Sequence, residues 1–372
     1  MAERRSVVVL GGYGNFGRRI CAALSRDGDV RVLIAGRDLA KARALADQLG
    51  SSAEPLELDY RAPEFLGKLK RIGPSVVVHT SGPFQGQDYA VATACIAAGC
   101  HYLDIADGRS YVAGIERLHH QALRGGVLLA SGASTLPALS SAVVDRYAPQ
   151  FSRLEEIRHG ISSSAKPPGL ATMQAVFGYV GKPFQRWEQG NWTTVYGWQD
   201  LHRRRFPEPL GWRWLAACDV PDLILFPQRY PGVRTVIFHA GLGFSSTTLA
   251  TWLFSWLVRC GLVKDLPSYS PMLHGLASAL ERWGTAWSAM HVTLTGRGCK
   301  ERSLALTWHV MAGNNHGPEI PCMPAILLSR KLLRGEIAAR GAMPCMGLLT
   351  LDDFAPEFAR WGITTQIEQL SS

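Results

Sequence analysis

Lysine and acidic residues are scarce in this 372-residue chain. Only 8 of its 39 basic residues are Lys, Asp and Glu together number 30, and charged residues make up 19%. The resulting formal charge of +9 would suit an anionic ligand, an acidic membrane surface or nucleic acid. The basic residues are dispersed rather than interleaved with stacking aromatics on one stretch, so no nucleic-acid partner is expected. No apolar run reaches the roughly 20 residues that cross a bilayer, which excludes a polytopic membrane protein. A hydrophobic content of 47% excludes a disordered or collagenous chain. The chain also lacks any CxxC pair or clustered Cys/His set. Its eight cysteines (Cys21, Cys95, Cys100, Cys218, Cys260, Cys299, Cys322, Cys345) are widely spread. Reduced, mostly buried thiols in a cytoplasmic protein are therefore expected, with no disulfide framework and no metal. The opening MAERRSVVVL has two arginines before an apolar run, but Gly11 ends that run after one strand's length, so it reads as a first β-strand rather than a secretory leader.

Tryptophan is missing before Trp187, whereas ten of the eleven lie between there and residue 308. That break predicts two domains. Up to about residue 150, short β-branched runs alternate with amphipathic stretches, the pattern of βα units feeding a parallel sheet. Strands are expected at 6–10, 30–35, 55–59, 75–79, 101–105 and 127–131. Several are apolar without alternation, as suits strands covered on both faces. The fold class expected is α/β: a Rossmann doubly wound parallel sheet plus a second α+β domain with a mixed sheet. The domains are expected at 1–150 (dinucleotide-binding), 151–340 (substrate and dimerisation) and 341–372 (a strand near 346–351 and a helix near 353–361 returning to the first domain). Second-domain strands are expected at 154–162, 222–226, 233–240, 289–295 and 303–312, and LHRRRF at 201–206 reads as well as a solvated loop as it does an anion-binding cluster. The run LATWLFSWLVRCGL at 249–262 is expected to be a buried helix. Its alternative is an interfacial one in peripheral contact with a membrane, because Trp252 and Trp256 are four apart and Arg259 follows.

The sharpest motif is LGGYGNFG at 10–17, in which Gly12, Gly14 and Gly17 make GxGxxG between a strand and a helix. Gly12 is expected to permit the tight turn, Gly14 to let the backbone approach a pyrophosphate, and Gly17 to let the helix pack on the strand. Asn15 and Phe16 sit at the helix N-terminus, whose free N–H groups suit an anion. Where an NAD-selective site carries Asp or Glu, the second strand ends in Gly36 and Arg37, which points to NADP(H): Arg37 would fork onto the 2′-phosphate, with Lys41 adding charge. Asp59, ending the third strand, would either accept from adenine or cap the following turn. Ser81, Gly82, Pro83 and Phe84, after the fourth strand, would lie along the cofactor, since ligands bind outside the carboxyl ends of parallel strands.

Hydride transfer needs a group that protonates or polarises the heteroatom. Tyr102 and Asp104, two apart on the fifth strand and so on one side of it, are candidates for an acid and its partner, with Asp107 just beyond. The bland reading is that Asp104 caps the turn and Tyr102 packs. His316, in NNHGPEIP at 314–321, is a further candidate; His239 reads as a hydrogen-bonded core residue, and Cys322 and Cys345 read as small buried groups as readily as site residues.

With those residues placed, the chain resembles the saccharopine dehydrogenase-like oxidoreductases. The likeness rests on GGYGNFG, AGRDLAKARALA at 35–46, SGPF at 81–84, AAGCHYLDIADG at 97–108 and SGASTLPALSSAVVD at 131–145. His79 departs from relatives that often carry Asn there. The resemblance implies a nicotinamide enzyme that moves hydride to or from an imine (CH–NH) or carbonyl carbon, with a small-molecule substrate between the domains. The Trp-rich second half favours a moderately apolar substrate. A homodimer is expected. The competing class is a catalytically silent NADP(H)-binding or lipid-associated protein that keeps the Rossmann module.

Overall fold

The computed structural model describes residues 5–164, 169–263, 266–280, 284–298 and 301–371. The chain divides into two compact units, one of residues 1–139 with 318–349, the other of residues 140–317 with 350–372.

In the first unit β1 (Ser6–Leu10), β2 (Arg31–Gly36), β3 (Ala53–Glu57), β4 (Val76–His79), β5 (His101–Asp104) and β6 (Leu128–Ser131) alternate with α1 (Gly17–Leu24), α2 (Leu39–Leu49), α3 (Phe65–Ile72), α4 (Ala90–Ala98), α5 (Arg109–Gly114) and α6 (His119–Arg124). The Val-rich runs of β1 and β4 are buried along their whole length, as a strand covered by helices on both faces requires. Asp38 caps α2 by accepting from the Lys41 N–H at 3.1 Å. Gly73 and Gly99 end α3 and α4 in the left-handed conformation.

The second unit holds α7 (Ser140–Tyr147), β7 (Phe151–Ser162), α8 (Leu170–Phe177), β8 (Pro183–Glu188), β9 (Asn191–Tyr196), β10 (His202–Phe206), β11 (Gly211–Ala217), α9 (Asp222–Arg229), β12 (Thr235–Gly241), α10 (Ser245–Arg259), α11 (Ser270–Leu280), β13 (Ser288–Gly298) and β14 (Ser303–Ala312). The chain then returns to the first unit for α12 (Met323–Arg334) and β15 (Gly341–Pro344), and ends in the second with α13 (Leu351–Arg360) and β16 (Thr364–Ser371).

The first sheet runs β15-β6-β5-β4-β1-β2-β3, and every pair in it is parallel. Leu10 pairs with Ala35 on one side and His79 on the other, so chain order reverses across β1 and β4. A doubly wound sheet opens a ligand crevice at that reversal. The second sheet is mixed: β10-β11-β12-β7-β13-β14-β16, with the β8–β9 hairpin attached to β12. Across it His239, Gly160, His291 and His309 pair in one row. Gly160 is needed there, since a Cβ would lie 2.9 Å from His291 Nε2.

Three expectations need correction. Residues 222–226 are the start of helix α9, not a strand. Residues 202–206 of the LHRRRF run are strand β10, paired with β11, and Arg204 on it donates to Thr293 Oγ1 at 3.0 Å rather than sitting in a solvated loop. The domain bounds shift as well: residues 140–150, expected in the first domain, lie with the second unit, and residues 318–340, expected in the second, lie with the first. Of the C-terminal segment only residues 341–349 lie with the first unit; residues 346–350 form no strand, and α13 and β16 belong to the second unit, where β16 pairs with β14. Among the described residues no helix is long and apolar enough to cross a membrane.

Candidate active site at the carboxyl ends of the parallel strands

After β1 the chain turns at Gly11, whose φ is +77° and whose Cβ, were there one, would strike Ser81 Oγ at 2.6 Å. The turn expected of Gly12 is therefore made by Gly11. Gly12 is required for packing instead, as its Cβ would lie 2.9 Å from Ile34 Cγ2. A Cβ on Gly17 would overlap the Gly11 carbonyl oxygen. Gly14 is different: a Cβ there meets only the Gly11 carbonyl, at 3.0 Å, and is otherwise open. Among the described residues the N–H groups of Asn15, Phe16 and Gly17 have no backbone acceptor. A backbone that an anion can approach, edged by unpaired donors, has the makings of a phosphate cradle.

The cradle is clamped from far along the chain. Arg19 Nε donates to Glu319 Oε1 at 2.8 Å, and its Nη1 donates to Asn15 Oδ1 at 2.8 Å. The side chains of Arg19 and Glu319 are only 12% and 13% exposed, so the pair is weakly screened. Cys322 Sγ lies 3.7 Å from the Phe16 carbonyl oxygen.

At the tip of β2, the Tyr13 hydroxyl accepts from the Asp38 N–H at 3.1 Å, and a Cβ on Gly36 would overlap the Tyr13 ring. Arg37 is exposed and among the described residues makes no ion pair. Lys41 is committed: its Nζ lies 3.0 Å from Asp38 Oδ2. Hydrogen bonds from Lys41, its backbone N–H first, hold the Asp38 carboxyl below the usual range. Asp59 lies two residues past β3 and accepts from the Arg61 N–H at 3.0 Å, which caps the turn.

Beyond β4, Thr80 Oγ1 donates to the Leu10 carbonyl at 2.8 Å, tying β4 to β1. Ser81 and Gly82 are half-buried and Pro83 is exposed; Gln87 Nε2 donates to the carbonyls of Ser81 and Pro83 at 2.9 and 2.7 Å. Phe84 points into the core, edge-on to His79 and against Tyr111.

Tyr102 and Asp104 lie side by side on β5, but both are wholly buried. The Tyr102 hydroxyl sits 3.2 Å from His79 Nδ1 and 3.0 Å from the Tyr111 hydroxyl, and burial pushes its pKa well above the usual value. Asp104 Oδ1 accepts from the Ala106 N–H (3.0 Å), Ser131 Oγ (3.0 Å) and the Gly132 N–H (2.8 Å), which binds the ends of β5 and β6 together. Burial raises its carboxyl to about 6 against those three donors. Burial also drives His79 down to about 3, so the imidazole is neutral. Asp107, beyond β5, is exposed and accepts from Gln85 Nε2 at 3.2 Å.

His316 belongs to the second unit, half-buried, with Nδ1 2.9 Å from the Trp361 carbonyl and its ring edge-on to that indole. His239 is buried, with Nε2 3.1 Å from Asp200 Oδ2. Cys322 and Cys345 are buried free thiols, their pKa values raised by burial. Ser140 Oγ donates to Asp222 Oδ2 at 2.6 Å, and His159 Nε2 lies 2.9 Å from the same oxygen. All three are buried and the serine donates to the carboxylate, so this trio joins α7, β7 and α9 and is no nucleophile–base pair.

Tyr13, Gly11, Arg19 and Glu319 shape the glycine loop of this candidate site and were passed over in the sequence. Only Gly11 carried a local signal, as the first glycine of the GGYG run.

Residues 7–145 match the family described as saccharopine dehydrogenase NADP binding domain. Among curated proteins the chain is similar to a candidate trans-acting enoyl reductase of Mycobacterium tuberculosis, in strains H37Rv and CDC 1551 alike: 30% identical over 139 residues, 36% of this chain and 33% of that protein. The chain thus spans about a third of the length of the curated relatives it matches. Among solved structures it is similar to apo saccharopine dehydrogenase (L-Glu forming) of Saccharomyces cerevisiae, with a TM-score of 0.71 at 14% identity over 98% of this chain and 100% of that one, a likeness of fold.

Proposed function

We propose that this chain, whose residues 7–145 match the saccharopine dehydrogenase NADP binding domain family, is an NADP(H)-dependent oxidoreductase. The observation that carries the reading is the open face of Gly14 beside three unpaired N–H groups, with an uncommitted guanidinium at the tip of the next strand. Bound there, the dinucleotide would supply or accept the hydride at the carbon of an imine or carbonyl group.

The chain's own residues divide that work. Asn15, Phe16 and Gly17 offer N–H groups to the pyrophosphate, and Gly12 and Gly17 hold α1 against β1 and β2 so that those groups converge. Arg37 forks onto the 2′-phosphate. Lys41, tied to Asp38, contributes less. Asp59, Ser81, Gly82 and Pro83 line the adenine and nicotinamide ends. Tyr102 and Asp104 act as positioning residues: Asp104 fixes the ends of β5 and β6, and Tyr102 with His79 and Tyr111 makes a neutral buried layer beneath them. The substrate expected is small and moderately apolar. A second reading, hydride addition to an activated C=C bond, draws on the name of the mycobacterial relatives.

The test is a fluorescence titration of the full chain with NADPH and NADH, followed by cofactor oxidation assays with imines, ketones and enoyl thioesters. Tight NADPH binding with turnover of an imine or ketone is expected. Turnover of the thioester alone would favour the second reading, and failure to bind either nucleotide would overturn both.

A further inference from the structure

We propose that helix α10, with the turn that follows it, is a docking surface for an anionic lipid bilayer. The helix is built inside out. Its buried positions are Thr248, Thr251 and Ser255, spaced for one face, while Leu249, Leu253, Phe254 and Trp256 are exposed. A helix on the surface of a globular domain ordinarily does the reverse. The 249–262 run, expected to be a core helix, therefore shows its apolar face outward.

The inward hydroxyls have local acceptors. Thr251 Oγ1 donates to the Thr247 carbonyl at 2.9 Å and Ser255 Oγ to the Trp252 carbonyl at 2.6 Å, so a polar face can be buried without distant partners. Those small side chains let the backbone come close: a Cβ on Gly181 would overlap the Ser255 carbonyl oxygen. Positions 249, 253 and 256 form a single stripe, with Phe254 beside it. Leu262, 74% exposed, continues the apolar character past the helix end.

Charge selects the occupant. The chain carries +9 overall, and no Asp or Glu occurs between Asp222 and Asp265. The only charged residue on α10 is Arg259, whose guanidinium lies 3.7 Å above the Tyr196 ring and 5.1 Å from the Trp256 ring. Aromatic rings and an arginine at the end of an apolar stripe suit the headgroup level of a membrane. A second copy seated here would set its own Arg259 against this one, with no acidic residue on α10 to answer it. With 15 residues, α10 is too short to span hydrocarbon, which needs about 20, so it would lie in the interface.

The proposal is independent of the nucleotide reading and is tested on the full chain by co-sedimentation with vesicles of phosphatidylcholine alone and of phosphatidylcholine with phosphatidylglycerol. Binding to the anionic vesicles, weakened by salt, is expected, and Leu253→Ser with Trp256→Ser should lower it at least tenfold while NADPH binding is unchanged. If that double variant fails to fold, Leu262→Ser in the turn serves, with a smaller loss expected. Absence of vesicle binding, or binding that the substitutions leave intact, would overturn the proposal. So would a dimer in light scattering that Leu253→Ser dissolves, since the stripe would then belong to a second copy.

Discussion

Tyr13 lies where a side chain on Gly36 would stand, and its hydroxyl takes the N–H of Asp38 at 3.1 Å. The pair ties the glycine loop after β1 to the tip of β2, so the proposed phosphate and ribose ends of the site are held as one piece. Gly36→Ala would drive the ring out and lose that bond. Weaker binding of NADPH and NADH alike is expected by fluorescence titration, with partial recovery when Tyr13→Ala is added. Tyr13→Phe alone, removing one hydrogen bond, should cost about 1 kcal/mol.

Arg37 should discriminate between cofactors. Arg37→Ala removes a charge-assisted fork worth roughly 2 kcal/mol, close to thirtyfold in affinity for NADPH, and should leave NADH nearly unchanged. Equal loss for both nucleotides would refute the 2′-phosphate assignment.

The Arg19–Glu319 pair should set the shape of the cradle. Glu319→Ala strands a guanidinium that is 12% exposed, and a loss of about 1–3 kcal/mol in stability is expected together with weaker binding of both nucleotides. Thermal melts with and without NADPH separate the two effects. Unchanged binding would show that the loop holds its form without the clamp.

Asp104 gives the first unit a pH signature. Its folded pKa of about 6 lies above the ordinary 3.8, so the neutral carboxyl is the form the fold favours. Its contribution is full below about pH 4 and is lost as pH rises through 6. Asp104→Asn should flatten that slope in urea titrations from pH 4 to 7. Asp104→Ala, which orphans three donors, should destabilise by about 3 kcal/mol or more.

The second unit should respond the opposite way. Burial holds His202 and His309 down to about 4, so both are neutral in the fold at neutral pH. Their contribution is present above the unfolded value of about 6.5 and is lost as pH falls through 4. Ten of the eleven tryptophans lie in 187–308, so indole emission reports this unit directly. A red shift on acidification from pH 6.5 to 4 is expected, and His309→Gln should move it to lower pH. Emission that stays constant over that range would contradict this account.

The first unit was legible because its signals are local. VVVL and VVVH are β-branched runs that favour strands buried on both faces, and GGYGNFG stands between a strand and a helix. The second unit misled where local chemistry is ambiguous. DLILF of α9 has the apolar run of a buried strand, and nothing in five residues separates the two. HRRRF of β10 looked solvated because its charge hides a half-buried Arg204 whose acceptor, Thr293, sits 89 residues away. Glu319 escaped for the same reason: it meets Arg19 across a separation of 300 residues. Tyr102 and Asp104 were correctly placed on one side of β5, but their burial depends on α12 and the other elements packed over it, which no strand periodicity reveals.

The chain passes between its two units three times, after residues 139, 317 and 349. No single cut can therefore release the nucleotide-binding unit. A fragment ending at residue 145, where the family match ends, would leave β6 without β15 beside it and Arg19 without Glu319. An unpaired parallel edge invites association with other chains. Gene fusions, domain exchanges and minimal fragments should keep residues 318–349 as part of the dinucleotide fold.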